Sequence, residues 1–114
     1  VLRGDRRKLL NVVVKPDSEQ VFHDFGKSDV AQLDGKGVID KLLEAGLFGF
    51  INQLPYAVST QPSVMPKAIF VSAFRDMPLA ADFEVELDGN EQDFQTGLTA
   101  LSKIATTYLS ISPK

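Results

Sequence analysis

The sequence of 114 residues contains no cysteine and a single histidine, His23. Without cysteine the chain can form no disulfide, bind no iron–sulfur cluster through thiolates and offer no thiol nucleophile. One histidine argues against a histidine-based metal site and against a Ser-His-Asp triad. We therefore expect no metal site and no catalytic residue in this chain, and we predict that His23 lies at the surface.

Long apolar runs and a surplus of basic residues are also missing. No apolar run approaches the length that spans a bilayer, and the net charge of −3 argues against nucleic acid as a partner. Basic residues gather near positions 3–8 and acidic residues near positions 82–93. We interpret both clusters as solvated surface, with docking as the alternative. The length and the 44% hydrophobic content fit one soluble domain.

The strongest apolar segment runs from Ala68 to Phe74 and is interrupted only by Ser72. A run without polar alternation predicts a strand covered on both faces, as in a parallel sheet flanked by helices. The strand is followed by Arg75-Asp76-Met77, where Asp76 could cap a helix beginning at Pro78. Ligands of open α/β sheets gather at the carboxyl ends of strands, so this strand-end loop is one candidate site. The alternative is a strand, a turn and one helical turn without function.

Helical periodicity predicts two helices, one on each side of this strand. The first runs from Gly35 to Leu47, with Asp34 as its cap and Gly46 as its terminator. The second runs from Glu91 to Ile104 behind Asn90 and leads into a strand at Thr107–Ile111. Gly97 lies on its apolar stripe, and we expect it to allow close approach of the helix to the sheet.

The order of these elements predicts an α/β fold. It is a partial Rossmann-like β-α-β unit with a preceding helix and an N-terminal orphan strand at Leu9–Val14. The segment from Asp82 to Gly89 alternates apolar and charged residues, which suggests a short edge strand or an extended loop. The polar segment 17–35 is interpreted as a connection anchored by Val21, Phe22 and Phe25.

The segment Leu47–Tyr56 is more apolar than a loop requires, and a helix face could bury only part of it. Exposed apolar surface of this kind marks a binding site, whereas the alternative is plain core packing. The candidate contact residues are Phe48, Phe50, Ile51, Asn52, Gln53, Leu54 and Tyr56.

Four stretches resemble the A subunit of the bacterial sodium-translocating NADH:quinone oxidoreductases. Gly4–Val14 looks like the hairpin that closes the family's N-terminal barrel-like domain, and Leu42–Phe48 is similar to a helix ending in Glu-Ser-Gly-Leu-Trp. Ala68–Ala81 is close to Ala-Ile-Phe-Val-Thr-Ala followed by Asn-Pro-Leu-Ala-Ala, and Phe94–Ile104 continues the match. The resemblance identifies an internal fragment: residues 1–16 end a barrel-like domain, 17–35 connect, and 36–114 begin a Rossmann-like domain.

The resemblance implies a non-catalytic fragment of a peripheral subunit on the cytoplasmic side of the inner membrane. It implies docking to membrane subunits that carry the flavins and move sodium, and a part in ubiquinone handling near the segment Leu47–Tyr56. Where relatives carry Arg residues before a Pro-Phe pair, this chain has Asn52-Gln53-Leu54 before Pro55-Tyr56, which puts their ionic contacts in doubt. We also expect Leu9–Val14, an unpaired strand, either to be disordered or to pair with a second copy of the fragment.

A flavin- or NADH-binding module resembling the flavoprotein of complex I is the alternative function. That relative has a glycine-rich loop whose N–H groups cradle the flavin phosphate. The corresponding stretch Leu47–Tyr56 has one glycine, Gly49, and no cationic residue. We therefore expect no cofactor in this fragment. A third possibility is the related iron–sulfur protein of the ferredoxin-linked ion pump. The Leu47-Phe48 and Pro78–Ala81 motifs argue against it.

Overall fold

The computed structural model describes residues 2–3 and 5–112, which fold into small sheets and helices. The helices are α1 (Gly35–Glu44), α2 (Phe83–Leu87) and α3 (Glu91–Ile104). The strands are β1 (Leu2–Arg3), β2 (Leu9–Asn11), β3 (Asn52–Gln53), β4 (Val58–Ser59), β5 (Ala68–Ser72) and β6 (Thr106–Ser110). β1–β2 and β3–β4 pair antiparallel, and β5–β6 pair parallel. The predicted α/β class is confirmed.

The unit β5–α3–β6 is the strand–helix–strand arrangement that the sequence predicts. α3 has the predicted bounds, and β6 begins one residue earlier than expected. β5 ends at Ser72, although the Ala73 N–H still donates to the Ser110 carbonyl at 2.9 Å. Asn90 occupies the N-cap position, but its side chain accepts no hydrogen bond from the helix.

α1 begins at the predicted residue, and the predicted cap and terminator both act, but the helix ends earlier than expected. Asp34 Oδ1 accepts a hydrogen bond from the Gly37 N–H at 2.7 Å, which satisfies one free donor of the first turn. Gly46 has φ +70°, and the Leu47 N–H donates back to the Leu42 carbonyl at 2.9 Å. This is a Schellman motif, which a glycine forms without a Cβ penalty. The helix therefore ends at Glu44, three residues before the predicted end.

The close approach expected at Gly97 occurs instead at Gly35. A Cβ added to Gly35 would lie 2.6 Å from the Lys103 carbonyl oxygen, so the start of α1 touches the end of α3. A Cβ at Gly97 would meet nothing within 4 Å. The prediction for Gly97 is wrong because this residue is exposed, whereas its neighbour Leu98 is half-buried.

The buried core is small. Its hydrophobic residues are Val38, Ile39, Phe48 and Ala73. The accessible surface is 10046 Å², whereas a compact chain of 12.5 kDa exposes about 6,200 Å². Much of the apolar surface of this chain therefore remains uncovered by its own described residues.

The two-sided burial predicted for β5 is wrong. Ile69 and Val71 are half-buried, whereas Phe70 on the opposite face is 64% exposed. Phe70 stacks on Tyr108 of β6, with ring centroids 5.3 Å apart and planes 18° from parallel. The strand has the composition of a strand covered on both faces, but the described residues cover only one.

The segment after β5 also differs from the predictions. No helix begins at Pro78 behind Asp76; α2 begins instead at Phe83, where Asp82 Oδ1 accepts the Glu84 N–H at 3.0 Å. The expected strand or extended loop over residues 82–89 is therefore a helix. Phe83 packs edge-on against Phe94 of α3 at 5.4 Å, and this contact replaces strand pairing.

The N-terminal strand is present but ends at Asn11 rather than Val14. It pairs with β1 alone, so it is the second strand of a hairpin rather than wholly unpaired. Gly4, part of the predicted turn, and the last two residues of the predicted range 36–114 lie outside the described residues.

The connecting segment is anchored only in part as predicted. Val21 and Phe22 are exposed, whereas the Phe25 ring packs edge-on against His23, with centroids 4.6 Å apart. The contacts come from His23, whose Nε2 lies 3.2 Å from Glu44 Oε1, and from Lys41 Nζ, which donates to the Phe25 carbonyl at 3.1 Å. His23 itself is exposed, as predicted. Of the helices in the described part of the chain, none has the length and hydropathy of a membrane-spanning segment.

Candidate functional site

A cavity of about 830 Å³ lies between the β3–β4 hairpin, the start of β5 and helices α1 and α3. Six of the seven contact residues predicted in Leu47–Tyr56 line it; Tyr56 does not. The full lining is Ile39, Phe48, Phe50, Ile51, Asn52, Gln53, Leu54, Thr60, Val64, Met65, Pro66, Lys67, Ala68, Ile69, Phe70, Val71, Leu101 and Ile104.

One wall of the cavity is a short 3₁₀ helix, Phe48–Phe50, that follows directly from the glycine turn ending α1. The N–H groups of Phe50 and Ile51 donate to the carbonyls three residues earlier, both at 3.1 Å. A 3₁₀ turn directs consecutive side chains to different sides. Phe48 is therefore 9% exposed and belongs to the core, while Phe50 is 80% exposed.

The β3–β4 hairpin carries the polar residues of this wall. Asn52 pairs with Ser59 and Gln53 with Val58, and the Thr60 N–H donates to the Ile51 carbonyl at 3.2 Å. Tyr56 lies in the turn between the strands and is exposed. Sequence reasoning missed this hairpin because its strands are two residues long and its turn lacks the usual Asn-Gly or Asp-Gly signal.

The opposite wall, residues 64–71, was not predicted as part of the site. It brings Val64, Met65 and Ile69 opposite the aromatic segment and adds one charged side chain, Lys67. Only its apolar composition was visible in the sequence, because its contact with residues 48–54 arises from the tertiary fold.

The chemistry available in the cavity is limited to hydrogen bonding and apolar contact. Its polar lining consists of Asn52, Gln53, Thr60 and Lys67, and no lining residue is a carboxylic acid or histidine. Among the described residues, no cluster of three or more His, Cys, Asp or Glu could hold a metal ion. The arrangement can hold an apolar molecule and donate hydrogen bonds to it.

The strand-end loop lies apart from this cavity. Arg75 Nη1 is 3.4 Å from Glu86 Oε1 of α2, in an exposed ion pair. Asp76 and Met77 are exposed, and the Met77 carbonyl accepts the Ala80 N–H at 3.1 Å. The structure therefore keeps the two predicted candidate sites separate.

One carboxyl group is electrostatically perturbed, and it lies outside the cavity. The hydrogen bond with His23, followed by the charge of Lys41, holds the pKa of the Glu44 side chain below its ordinary value. The Glu44 side chain is exposed, so we interpret its perturbed pKa as a consequence of the contacts that hold the connecting segment and not as a sign of catalysis.

Comparison with known proteins gives consistent matches. A family described as NqrA second alpha/beta domain matches residues 33–114. The chain is 34% identical over 109 residues to the A subunit of the Na(+)-translocating NADH-quinone reductase of Pseudomonas aeruginosa (strain UCBPP-PA14), covering 94% of this chain and 24% of that protein.

The corresponding protein of Teredinibacter turnerae is 37% identical over 113 residues, which is 97% of this chain and 25% of the relative. That of Saccharophagus degradans is 33% identical over 104 residues, covering 90% and 23%. The chain spans about a quarter of the length of the curated relatives that it matches.

Proposed function

Because the chain belongs to the NqrA second alpha/beta domain family, we propose that it acts within the A subunit of a Na(+)-translocating NADH-quinone reductase. The resemblance to this family seen in the sequence is confirmed by the family match and the relatives. In this proposal the fragment contributes no catalytic centre of its own. It supports docking between subunits and ubiquinone handling, while the flavins are bound by other subunits.

The observation that carries the ubiquinone role is the apolar cavity beside the segment Leu47–Tyr56. Its volume of about 830 Å³ falls within the range of about 300–1,000 Å³ for small-molecule sites. Phe50, Ile51 and Leu54 supply aromatic and aliphatic walls for a ring and its isoprenoid tail. Asn52 and Gln53 supply amide donors for the ring oxygens.

Docking to membrane subunits is supported by exposed apolar side chains at the hairpin turn and on the open face of the sheet. Tyr56 is exposed in the hairpin turn, and Phe70 and Tyr108 are exposed on the open face of the sheet. Parallel sheets are normally covered on both faces, so the exposed face of β5–β6 is a surface on which a partner protein could pack. We place that partner among the membrane subunits, with the chain peripheral on the cytoplasmic side of the inner membrane.

The alternative, a flavin- or NADH-binding module, is not favoured. A phosphate cradle needs closely spaced backbone N–H groups, usually from glycines at a helix start. Gly49 is the one glycine in the stretch Leu47–Tyr56, and it lies inside a 3₁₀ helix. The other residues of the stretch carry side chains and none of them is cationic, so the stretch supplies neither clustered glycine N–H groups nor a positive charge for a phosphate.

The experiment is quinone reduction by the reductase assembled with the double variant Phe50→Ala and Ile51→Ala. We expect quinone reduction to fall, while NADH oxidation with a water-soluble electron acceptor stays unchanged. Phe22→Ala is the matched control, because Phe22 is as exposed as Phe50 but lies outside the cavity lining. A stable double variant with unaltered quinone reduction would contradict the ubiquinone role.

A further inference from the structure

Lys67 differs from the rest of the cavity in charge. It is the one cationic residue among the lining residues, and it stands at the start of β5 between Pro66 and Ala68. The residue is exposed to solvent while it lines the cavity. None of the ion pairs found among the described residues involves Lys67.

A lone cation on an apolar wall restricts the kind of ligand that fits. None of the described residues that line the cavity is a carboxylic acid, so the lining itself supplies no negative charge that competes for Lys67. An apolar molecule with an oxygen head group would cover the aliphatic walls and accept a charge-assisted hydrogen bond from the ammonium. A cationic amphiphile would meet an uncompensated like charge, and a pure hydrocarbon would leave Lys67 unused.

We propose that Lys67 selects the ligand of this cavity, favouring a single-chain apolar molecule whose head group carries an anionic or strongly accepting oxygen. The inference rests on the proposed function, since it takes the cavity as a ligand site. It assigns to Lys67 the recognition of the head group, and to the aromatic wall the binding of the apolar part. Charge complementarity carries it, because the lining offers positive charge and amide donors but no negative charge.

The test compares two ligands of equal chain length, decanoate and 1-decanol, as competitors of the neutral dye Nile red on purified full-length protein. Val64 lines the cavity from an exposed position, so Val64→Trp should block dye binding there. The fluorescence lost in this variant therefore measures the dye bound in the cavity. We expect decanoate to displace this fraction at about tenfold lower concentration than 1-decanol, equivalent to about 1.4 kcal/mol. High salt should reduce the difference, since the contact is solvent-accessible.

Three variants identify the residue responsible. Lys67→Met should abolish the preference for decanoate while leaving displacement by 1-decanol unchanged, and Lys67→Arg should retain the preference. Lys27→Met is the control, because Lys27 is exposed but does not line the cavity. Equal displacement by both ligands in the unaltered protein would overturn the role of Lys67 and leave the cavity as a ligand site. If Val64→Trp removed no fluorescence, the cavity would bind no apolar ligand, and both proposals would fail.

Discussion

Phe48 and Phe50 provide an internal comparison of core and surface, because they lie two residues apart in one 3₁₀ helix. Phe48 is 9% exposed and Phe50 is 80% exposed. Truncation of a buried phenylalanine costs about 3–5 kcal/mol through lost transfer energy and the cavity left behind. Because Phe48 borders an existing cavity, we expect Phe48→Ala to cost about 3 kcal/mol, at the lower end of that range. Phe50→Ala should cost about 1 kcal/mol or less.

The assay is urea unfolding followed by circular dichroism. With an m-value of about 1.5 kcal/mol/M, Phe48→Ala should lower the unfolding midpoint by about 2 M, and Phe50→Ala by less than about 0.7 M. The small buried core makes complete unfolding of Phe48→Ala a second outcome consistent with the same reasoning. Phe48→Leu then replaces it, with an expected cost of about 1 kcal/mol. Equal losses for the alanine variants of Phe48 and Phe50 would refute the assignment of one to the core and the other to the surface.

Four further measurements test other features. Gly35→Ala should destabilise the chain by more than about 1 kcal/mol, because its Cβ would lie 2.6 Å from a backbone oxygen. Gly97→Ala should instead stabilise the chain by up to about 1 kcal/mol, because its Cβ would meet no other atom. Thermal unfolding measures both effects. Because the pKa of Glu44 is lowered in the folded state, its carboxylate contributes fully to folding stability above pH about 4.5. That contribution is lost as the pH falls through the folded-state pKa, so Glu44→Gln should make stability less dependent on pH on the acid side. Calorimetric titration with FMN or NADH should show no saturable micromolar binding. Light scattering should detect self-association that Val13→Lys abolishes; a monomer at all concentrations would contradict pairing through Leu9–Val14.

Elements marked by local chemistry could be predicted from the sequence. Asp34 caps α1 through its own side chain, and Gly46 ends it through its own backbone. The bounds of α3 likewise follow from a helical stripe that includes Leu98 and Ile104. In each case the deciding interaction lies within a few residues of the signal.

Elements decided by distant contacts could not be predicted. Phe83, Val85 and Leu87 alternate as in a strand, but the contact of Phe83 with the Phe94 ring favours a helix. The composition of β5 predicts a strand covered on both faces, yet the described residues cover only one face. Lys67 lines the cavity because the tertiary fold places its segment opposite the hairpin, which the sequence alone does not indicate.

The stacked pair Phe70 and Tyr108 also has an optical consequence. The chain has no tryptophan and two tyrosines, Tyr56 and Tyr108, so its near-ultraviolet emission arises from two residues on different exposed surfaces. Tyr56→Phe would leave Tyr108 as the sole emitter, directly on the open face of the sheet. Any protein surface that covers this face would change the solvent around that phenol and hence its quantum yield and access to iodide quenching. The fluorescence of Tyr108 would therefore report the covering of this face without an added label.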